Sequence, residues 1–430
     1  MKKTQYSLLA ISIALASQVH AAGFQVVEHS ASGLGRAFSG AGAVGDNASE
    51  MSANAASMML FEKKQFSGAI SWIEPEIDVK GNDATAIPGT NNSANDIAPS
   101  QVVPAFYYVN PINEHWAWGI GMYTDYGVAT EYPGDFLAGD ISGETSLTTF
   151  KFNPNIAYRL NDHFSVGAGF NVTYAKAELK RTKGALYVAP PQFGGGGSPS
   201  NTLIKMEGDT FGYGWNVGAL YEVNENNRFS ASYKSAVKLK FEDGDFTDGA
   251  GAFTGQPGST NNADLDIELP DIVILSGFHQ LNNQWAVHYS WQWTNWSKFT
   301  DLTATGSACV ITSGTCFTKQ EKYDDNQRWS IGTTYQPTDS VILRAGFAYD
   351  EQAGQATLSI PDTDRYWYTA GITYLWTEDL SLDAGFAYID GKSGNFDETS
   401  KTGSITGLPQ NNYNSSGPAY IGSVQLNYTF

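Results

Sequence analysis

Much of what usually assigns a chain to a class is missing here. Cysteine occurs only at Cys309 and Cys316 in 430 residues, so neither a disulfide-dense scaffold nor a cysteine-built metal centre is available. The six histidines form no H-E-x-x-H pair, and no G-x-S-x-G elbow is present. Past the first residues, no apolar run approaches the ~20 residues that a spanning helix needs. Bases are scarce: 25 Lys and Arg against 44 Asp and Glu leave a net charge of −19, which removes the electrostatic footprint of a nucleic-acid binder. Charged residues make up only 16% of the chain, while Gly, Tyr, Phe, Trp, Asn and Thr are plentiful. That mix suits strands and aromatic girdles rather than helical cores.

The chain opens with Lys2 and Lys3, an apolar stretch from Leu8 to Ala16, and Val19-His20-Ala21 as a small-x-small site. This reads as a signal peptide over residues 1–21, too short for an anchor. Alternation dominates the rest of the chain. Phe164, Val166, Ala168, Phe170, Val172 and Tyr174 alternate with Ser165, Gly167, Gly169, Asn171 and Thr173. Trp285 to Trp293, Val341 to Tyr349 and Leu380 to Tyr388 repeat the pattern. A strand with one face in lipid and one in a lumen has this period of two. A soluble sandwich alternates too, but Val424, Leu426, Tyr428 and the terminal Phe430 alternate to the last residue, as the closing strand of an outer-membrane barrel does. Phe430 is then the signal that the barrel assembly machinery reads, and the acidic surface faces lipopolysaccharide and outer-membrane lipid.

Polar clusters mark short turns at Asn110 to His115, Asn161 to His163, Asn224 to Asn227, Asn282 to Gln284, Gln336 to Ser340 and Thr377 to Asp379. Longer Gly, Asn and Ser-rich loops centre near Asn91, Gly134, Gly195, Gly255, Gly314, Gly354 and Asn411. Short turns and long loops in strict alternation imply an all-β, antiparallel transmembrane barrel of about fourteen strands over residues 62–430. Residues 22–61 lack the period of two, yet Phe24, Val26, Val27, Leu34 and Phe38 are too apolar for a free tail. They are expected to fold inside the lumen as a plug. Gly40-Ala41-Gly42-Ala43-Val44-Gly45 matches a dinucleotide fingerprint without the strand and helix it needs, and Gly391-Lys392-Ser393 lacks the first glycine of a phosphate loop. No cofactor or metal is implied, and no enzyme is expected; only a Ser and His on adjacent strands, such as His288 and Ser290, leave a route to catalysis. Cys309 and Cys316 share one loop and are placed to close a small ring there.

Parity places Ala175, Ala177, Leu179 and Arg181 on one inner face, and Lys322, Asp324, Asn326 and Arg328 on another; Arg344 and Arg365 follow the same rule. A greasy lumen with a few cations suits an amphiphile with one anionic head. The alternative is an anion pore or a lattice of ion pairs with Asp324, Asp350 and Asp383, and lumen charges in barrels are more often paired than ligand-binding.

Ala22-Gly23-Phe24-Gln25, Ser32-Gly33-Leu34-Gly35-Arg36-Ala37, Tyr126-Gly127-Val128-Ala129-Thr130-Glu131, Ala157-Tyr158-Arg159-Leu160-Asn161, Trp215-Asn216 and Ile360-Pro361-Asp362-Thr363-Asp364-Arg365 resemble the FadL-type long-chain fatty acid transporters over nearly the whole chain. The resemblance implies a monomeric fourteen-stranded barrel with an N-terminal hatch and an inner pocket. It also implies a kinked third strand, at Tyr126 and Gly127, through which ligand leaves sideways. Arg181 falls where the family holds the carboxylate. The family's Asn-Pro-Ala hatch motif stands as Asn54-Ala55-Ala56, without the proline, and its partner lysine aligns with Asp324, leaving Lys322 as the substitute on that face. Phe136 and Leu137 in one loop, and Leu186, Tyr187, Val188 and Phe193 in the next, are expected to form the extracellular capture groove, with loop packing as the plainer explanation. Three cargoes remain open: fatty acids, uncharged hydrocarbons such as aromatics, or polar solutes.

Overall fold

The computed structural model describes residues 23–82, 87–398 and 412–430; the signal peptide and the loop centre at Asn411 lie outside them. The alternation holds at atomic level. Phe164 and Phe170 are 43% and 50% exposed, while Ser165 and Asn171 beside them are 1% exposed. None of the described helices is long and apolar enough to cross a membrane, so the crossing is made by strands.

Fourteen strands form the wall. The first is Gln65–Pro75, extended by Asp78–Gly81, and the second is Ser93–Ala94 with Gln101–Pro111. The third comprises Trp116–Tyr123 and Gly127–Glu131; the fourth, fifth and sixth are Glu144–Asn161, Phe164–Thr182 and Thr202–Asn224. The seventh to tenth are each interrupted once: Asn227–Lys234 and Val237–Asp248, Ser259–Leu269 and Ile272–Gln280, Trp285–Thr294 and Asp301–Thr305, Thr315–Gln320 and Asn326–Thr338. Val341–Asp350, Arg365–Leu375, Leu380–Asp397 and Asn412–Thr429 complete the set. Neighbours pair antiparallel throughout, and the first strand pairs with the fourteenth from Gln65↔Thr429 to Pro75↔Ala419, closing the barrel. Closure satisfies the backbone where lipid cannot.

The six short turns lie where the polar clusters placed them. Asparagine recurs there because its side chain substitutes for a turn's missing backbone acceptor. Asn113 Oδ1 accepts from the amides of His115 and Trp116, Asn161 Oδ1 from His163 and Phe164, and Asn282 Oδ1 from Gln284 and Trp285.

Residues 23–61 touch inward-facing residues on opposite sides of the wall, which places them in the lumen. The turn Ala31–Leu34 packs on the twelfth to fourteenth strands, and the 3-10 turn Ala55–Leu60 on the fourth to sixth. Polar N-caps start these short pieces: Ser30 accepts from Gly33, Asn47 from Ser49, and Asn54 from Ala56. Barrel glycines let backbone meet backbone. A Cβ on Gly167 would lie 2.5 Å from the carbonyl carbon of Ala55, and one on Gly346 would lie 2.2 Å from that of Arg36. Ion pairs fix the register: Arg36 binds Asp46 (2.9 Å) and Glu50, and Arg344 of the eleventh strand reaches Asp46 at 3.1 Å. The lumen arginines Arg344 and Arg365 are therefore paired, the latter with Asp362. Gly40, Gly42 and Gly45 adopt positive φ (72°, 74° and 68°), so their spacing serves tight turns in the lumen segment.

Candidate functional site

Above the lumen segment, the inner faces of the third to ninth strands line a pocket. Its wall is mostly aliphatic and aromatic, from Val128, Leu147, Leu179, Met206, Phe241, Ile267 and Leu302. Thr145, Ser359 and Glu321 supply polar groups. A site that is greasy with a few convergent polar groups suits an apolar ligand with one polar end.

Arg181 stands behind that polar end, fully buried as its parity predicts. Its guanidinium donates to the carbonyls of Glu144 (2.8 Å) and Lys180 (3.0 Å) and to the hydroxyls of Thr145 (3.1 Å) and Ser359 (3.0 Å); Nε is buried without a partner among the described residues. The pocket-lining hydroxyls are thus polarised by a cation. Lys319, buried nearby, lies 3.1 Å from Glu321, 3.3 Å from Glu398 and 3.2 Å from the Thr357 hydroxyl. Glu321 Oε2 receives no hydrogen bond among the described residues.

Phe24 closes the floor. Its ring meets Trp296 at 4.5 Å, Phe299 at 5.1 Å and Tyr126 at 6.2 Å, all edge-on. Tyr126 donates its hydroxyl to the Pro270 carbonyl at 2.6 Å, tying the third strand to the interruption in the eighth. Gly23 donates its amide to Asp362 (2.9 Å), within the Ile360 to Arg365 run.

The third strand is broken at Thr124–Tyr126, and Tyr126 and Gly127 stand at the break. Gly127 does not use positive φ, so freedom from a Cβ penalty is not what the break demands. The lumen segment fills the lost ladder instead: Val26 donates to the Asp125 carbonyl and Gly127 to that of Phe24, both at 2.7 Å. Beside the break no ladder between the second and third strands is found among the described residues: theirs runs from Phe106↔Met122 to Pro111↔Ala117, while the ladder of Gly127–Glu131 is with the fourth strand. The amide of Glu131 bonds the Ile97 carbonyl at 2.7 Å above, leaving a window flanked by Gln101–Ala105.

Several expected site residues lie elsewhere. Parity counted back from Trp329 reaches Lys322 and Asp324, but that segment starts only at Asn326, so both are exposed in the connection. Counting from Thr315–Gln320 instead puts Lys319 inside, the buried lysine that the sequence reading misses together with Glu321. Arg328 is buried but engages the Ala37 carbonyl (3.3 Å) and the Trp367 ring (4.9 Å), away from the upper pocket. Of the expected capture groove, Phe136, Leu137 and Leu186 are buried, because the loops pack on one another: Phe136 against Tyr132 and Tyr413, Leu137 with Ile87 and Ala185. Tyr187 bonds the Pro88 carbonyl at 2.6 Å, and only Val188 and Phe193 remain exposed, at 48% and 50%. Asn54 caps its turn and donates to the Ala219 carbonyl and Ser230 hydroxyl, while Ala55 and Ala56 lie on Gly167. Cys309 and Cys316 are bonded, their Cα atoms 5.3 Å apart.

Residues 12–430 match the family described as outer membrane protein transport protein (OMPP1/FadL/TodX). The long-chain fatty acid transport protein of Escherichia coli K12 is 38% identical over 395 residues, covering 85% of this chain and 87% of that one. Outer membrane protein P1 of Haemophilus influenzae Rd is 37% identical over 466 residues, covering both chains fully. Among solved structures, a Pseudomonas aeruginosa FadL homologue superposes with a TM-score of 0.82 at 22% identity, covering 95% of this chain and all of that one. The Pseudomonas putida toluene transporter TodX superposes at 0.63 and 18% identity, covering 88% and 92%.

Proposed function

This chain belongs to the OMPP1/FadL/TodX family of outer membrane transport proteins, resides in the bacterial outer membrane, and, we propose, takes up long-chain fatty acids. The observation that carries the cargo is the polar end of the upper pocket, where Arg181 stands behind Thr145 and Ser359, and Lys319 behind Glu321, at one side of an otherwise greasy space. Each methylene moved from water into such a space contributes about 0.8 kcal/mol, and a hydrogen bond to a charged group about 1.5 to 3 kcal/mol. An acyl chain with a carboxylate collects both terms. The fatty acid transport proteins at 37–38% identity agree with that cargo.

The path runs inward from the loops. Ligand meets Val188 and Phe193 outside, enters the pocket with its head toward Arg181, and passes Phe24 when residues 23–27 shift. The lumen segment acts as the hatch that blocks open flow, and the window beside Tyr126 and Gly127 releases ligand into the membrane. A monomer suffices for every step, and Phe430 addresses the chain to the assembly machinery.

The test compares uptake of oleate with that of its methyl ester in Arg181→Ala combined with Lys319→Ala. Loss confined to oleate, about tenfold or more, is expected for a charged head. A second reading, uncharged aromatic solutes, draws on the ring cluster of Phe24, Tyr126, Trp296 and Phe299, and equal losses for both compounds would favour it.

A further inference from the structure

Below the strip Gln25–Val27 lies a second, smaller space, lined by Asp125, Lys234, His29, Gln292 and Arg328 among others. Phe24 lines the upper pocket and its successors Gln25 to Val27 line this one, so a single strip of backbone separates the two. Three buried charges meet there, Asp125 and Lys234 in its lining and Lys151 bonded to Asp125 from outside it. Asp125, on the third-strand break, pairs through one carboxylate oxygen with Lys151 of the fourth strand and through the other, at 3.2 Å, with Lys234 of the seventh. All three side chains are less than a tenth exposed, and both amines lie 5.6 Å above the ring of Tyr123.

Two ammonium groups share one carboxylate, a surplus of one positive charge. Among the described residues no other carboxylate stands within ion-pair distance of either amine. His29 does not offset it: burial, with Lys234 beside it, pushes its imidazole down to about 4, so it is neutral at pH 7. Glu28 and Asp350 act on Arg328. An uncompensated charge inside a protein costs several kcal/mol, and a lone structural bridge would need only one of these lysines. The surplus sits at the third-strand break, on the release path proposed above.

We propose that Lys151 and Lys234, held apart by Asp125, form a second, transient seat for a long-chain carboxylate between the upper pocket and the window. The proposal rests on the fatty acid reading of the cargo. An anion arriving here completes a two-to-two pairing with the lysines, which lowers the cost of moving a charged head through a greasy wall. The upper pocket captures; this seat sets the rate of passage for acids alone.

Lys234→Met and Lys151→Met, each made singly in the full-length protein, leave Asp125 one partner and remove the surplus. Equilibrium binding of oleate should stay within about twofold of wild type, since the upper pocket is untouched, while oleate uptake falls about tenfold or more. Uptake of oleyl alcohol should be unchanged, and Lys234→Arg should restore oleate uptake. Equal loss for oleate and the alcohol, or no loss for either, would overturn the second seat. If wild-type protein takes up oleate no better than its methyl ester and Arg181→Ala changes neither, the fatty acid reading itself fails, a result separable from the others.

Discussion

The amide of Gly127 donates to the carbonyl of Phe24 at 2.7 Å, so the residue that floors the pocket also stands in for the missing neighbour of the broken third strand. Moving Phe24 therefore opens the floor and unpairs the break together. Phe24→Ala keeps the backbone bond but removes the ring packed on Trp296 and Phe299. Truncating a buried Phe costs about 3 to 5 kcal/mol where the site cannot collapse. Weaker oleate binding together with higher passive conductance in planar bilayers is expected. Unchanged conductance would separate the floor from the gate.

Barrel glycines are expected to be intolerant on the inner face where the lumen segment touches them and tolerant on the outer face. Gly167→Val should unseat Ala55 and Ala56, since even a Cβ would sit 2.5 Å from that backbone. A cost of about 1 to 3 kcal/mol or more follows from overpacking, read as faster proteolysis of residues 23–61. Gly422→Ala is the control, because nothing lies within 4 Å of its added Cβ.

Glu28 makes the seating of that segment pH-dependent. Burial pushes its carboxyl from the ordinary 4.5 up to about 7. The seated state then binds more protons than the unseated one between those values, so stability falls as pH rises through that window. Glu28→Gln should match wild type near pH 4 and exceed it at pH 8 by up to about 3 kcal/mol. Thermal midpoints at the two pH values check this, and a constant difference would contradict it.

Outside the membrane, Val188→Asp with Phe193→Asp should raise the oleate concentration needed for half-maximal uptake while sparing the maximal rate, because both residues are half exposed. Phe136→Asp should instead lower the yield of folded barrel, since that ring is buried against Tyr132. Concentration-dependent uptake and heat-modified mobility on gels distinguish the two.

The barrel was legible because lipid imposes one rule on every strand. Phe170 against Asn171, or Trp291 against Gln292, states it in the sequence, and Asn113, Asn161 and Asn282 announce the turns by their own hydrogen bonds. Arg181 was reachable because its strand runs unbroken from Phe164 to Thr182. Lys319 was not, because parity resets across the interruption between Gln320 and Asn326, and a count begun at Trp329 reaches Lys322 instead. The exposure expected of Phe136, Leu137 and Leu186 differs for another reason. Loop residues such as Phe136 and Leu137 look exposed until the other loops they pack against are known, and those partners, Tyr413 and Ile87 among them, are far away in sequence. The Lys151–Asp125–Lys234 cluster joins three strands and had no local signature at all.

The cargo is tested most directly by native mass spectrometry of the protein extracted from membranes of cells given equal amounts of oleate and a long-chain alkane. One oleate bound per barrel is expected in wild type, and its loss in Arg181→Ala combined with Lys319→Ala. Alkane bound to wild type, or oleate retained by the double variant, would contradict a fatty acid cargo.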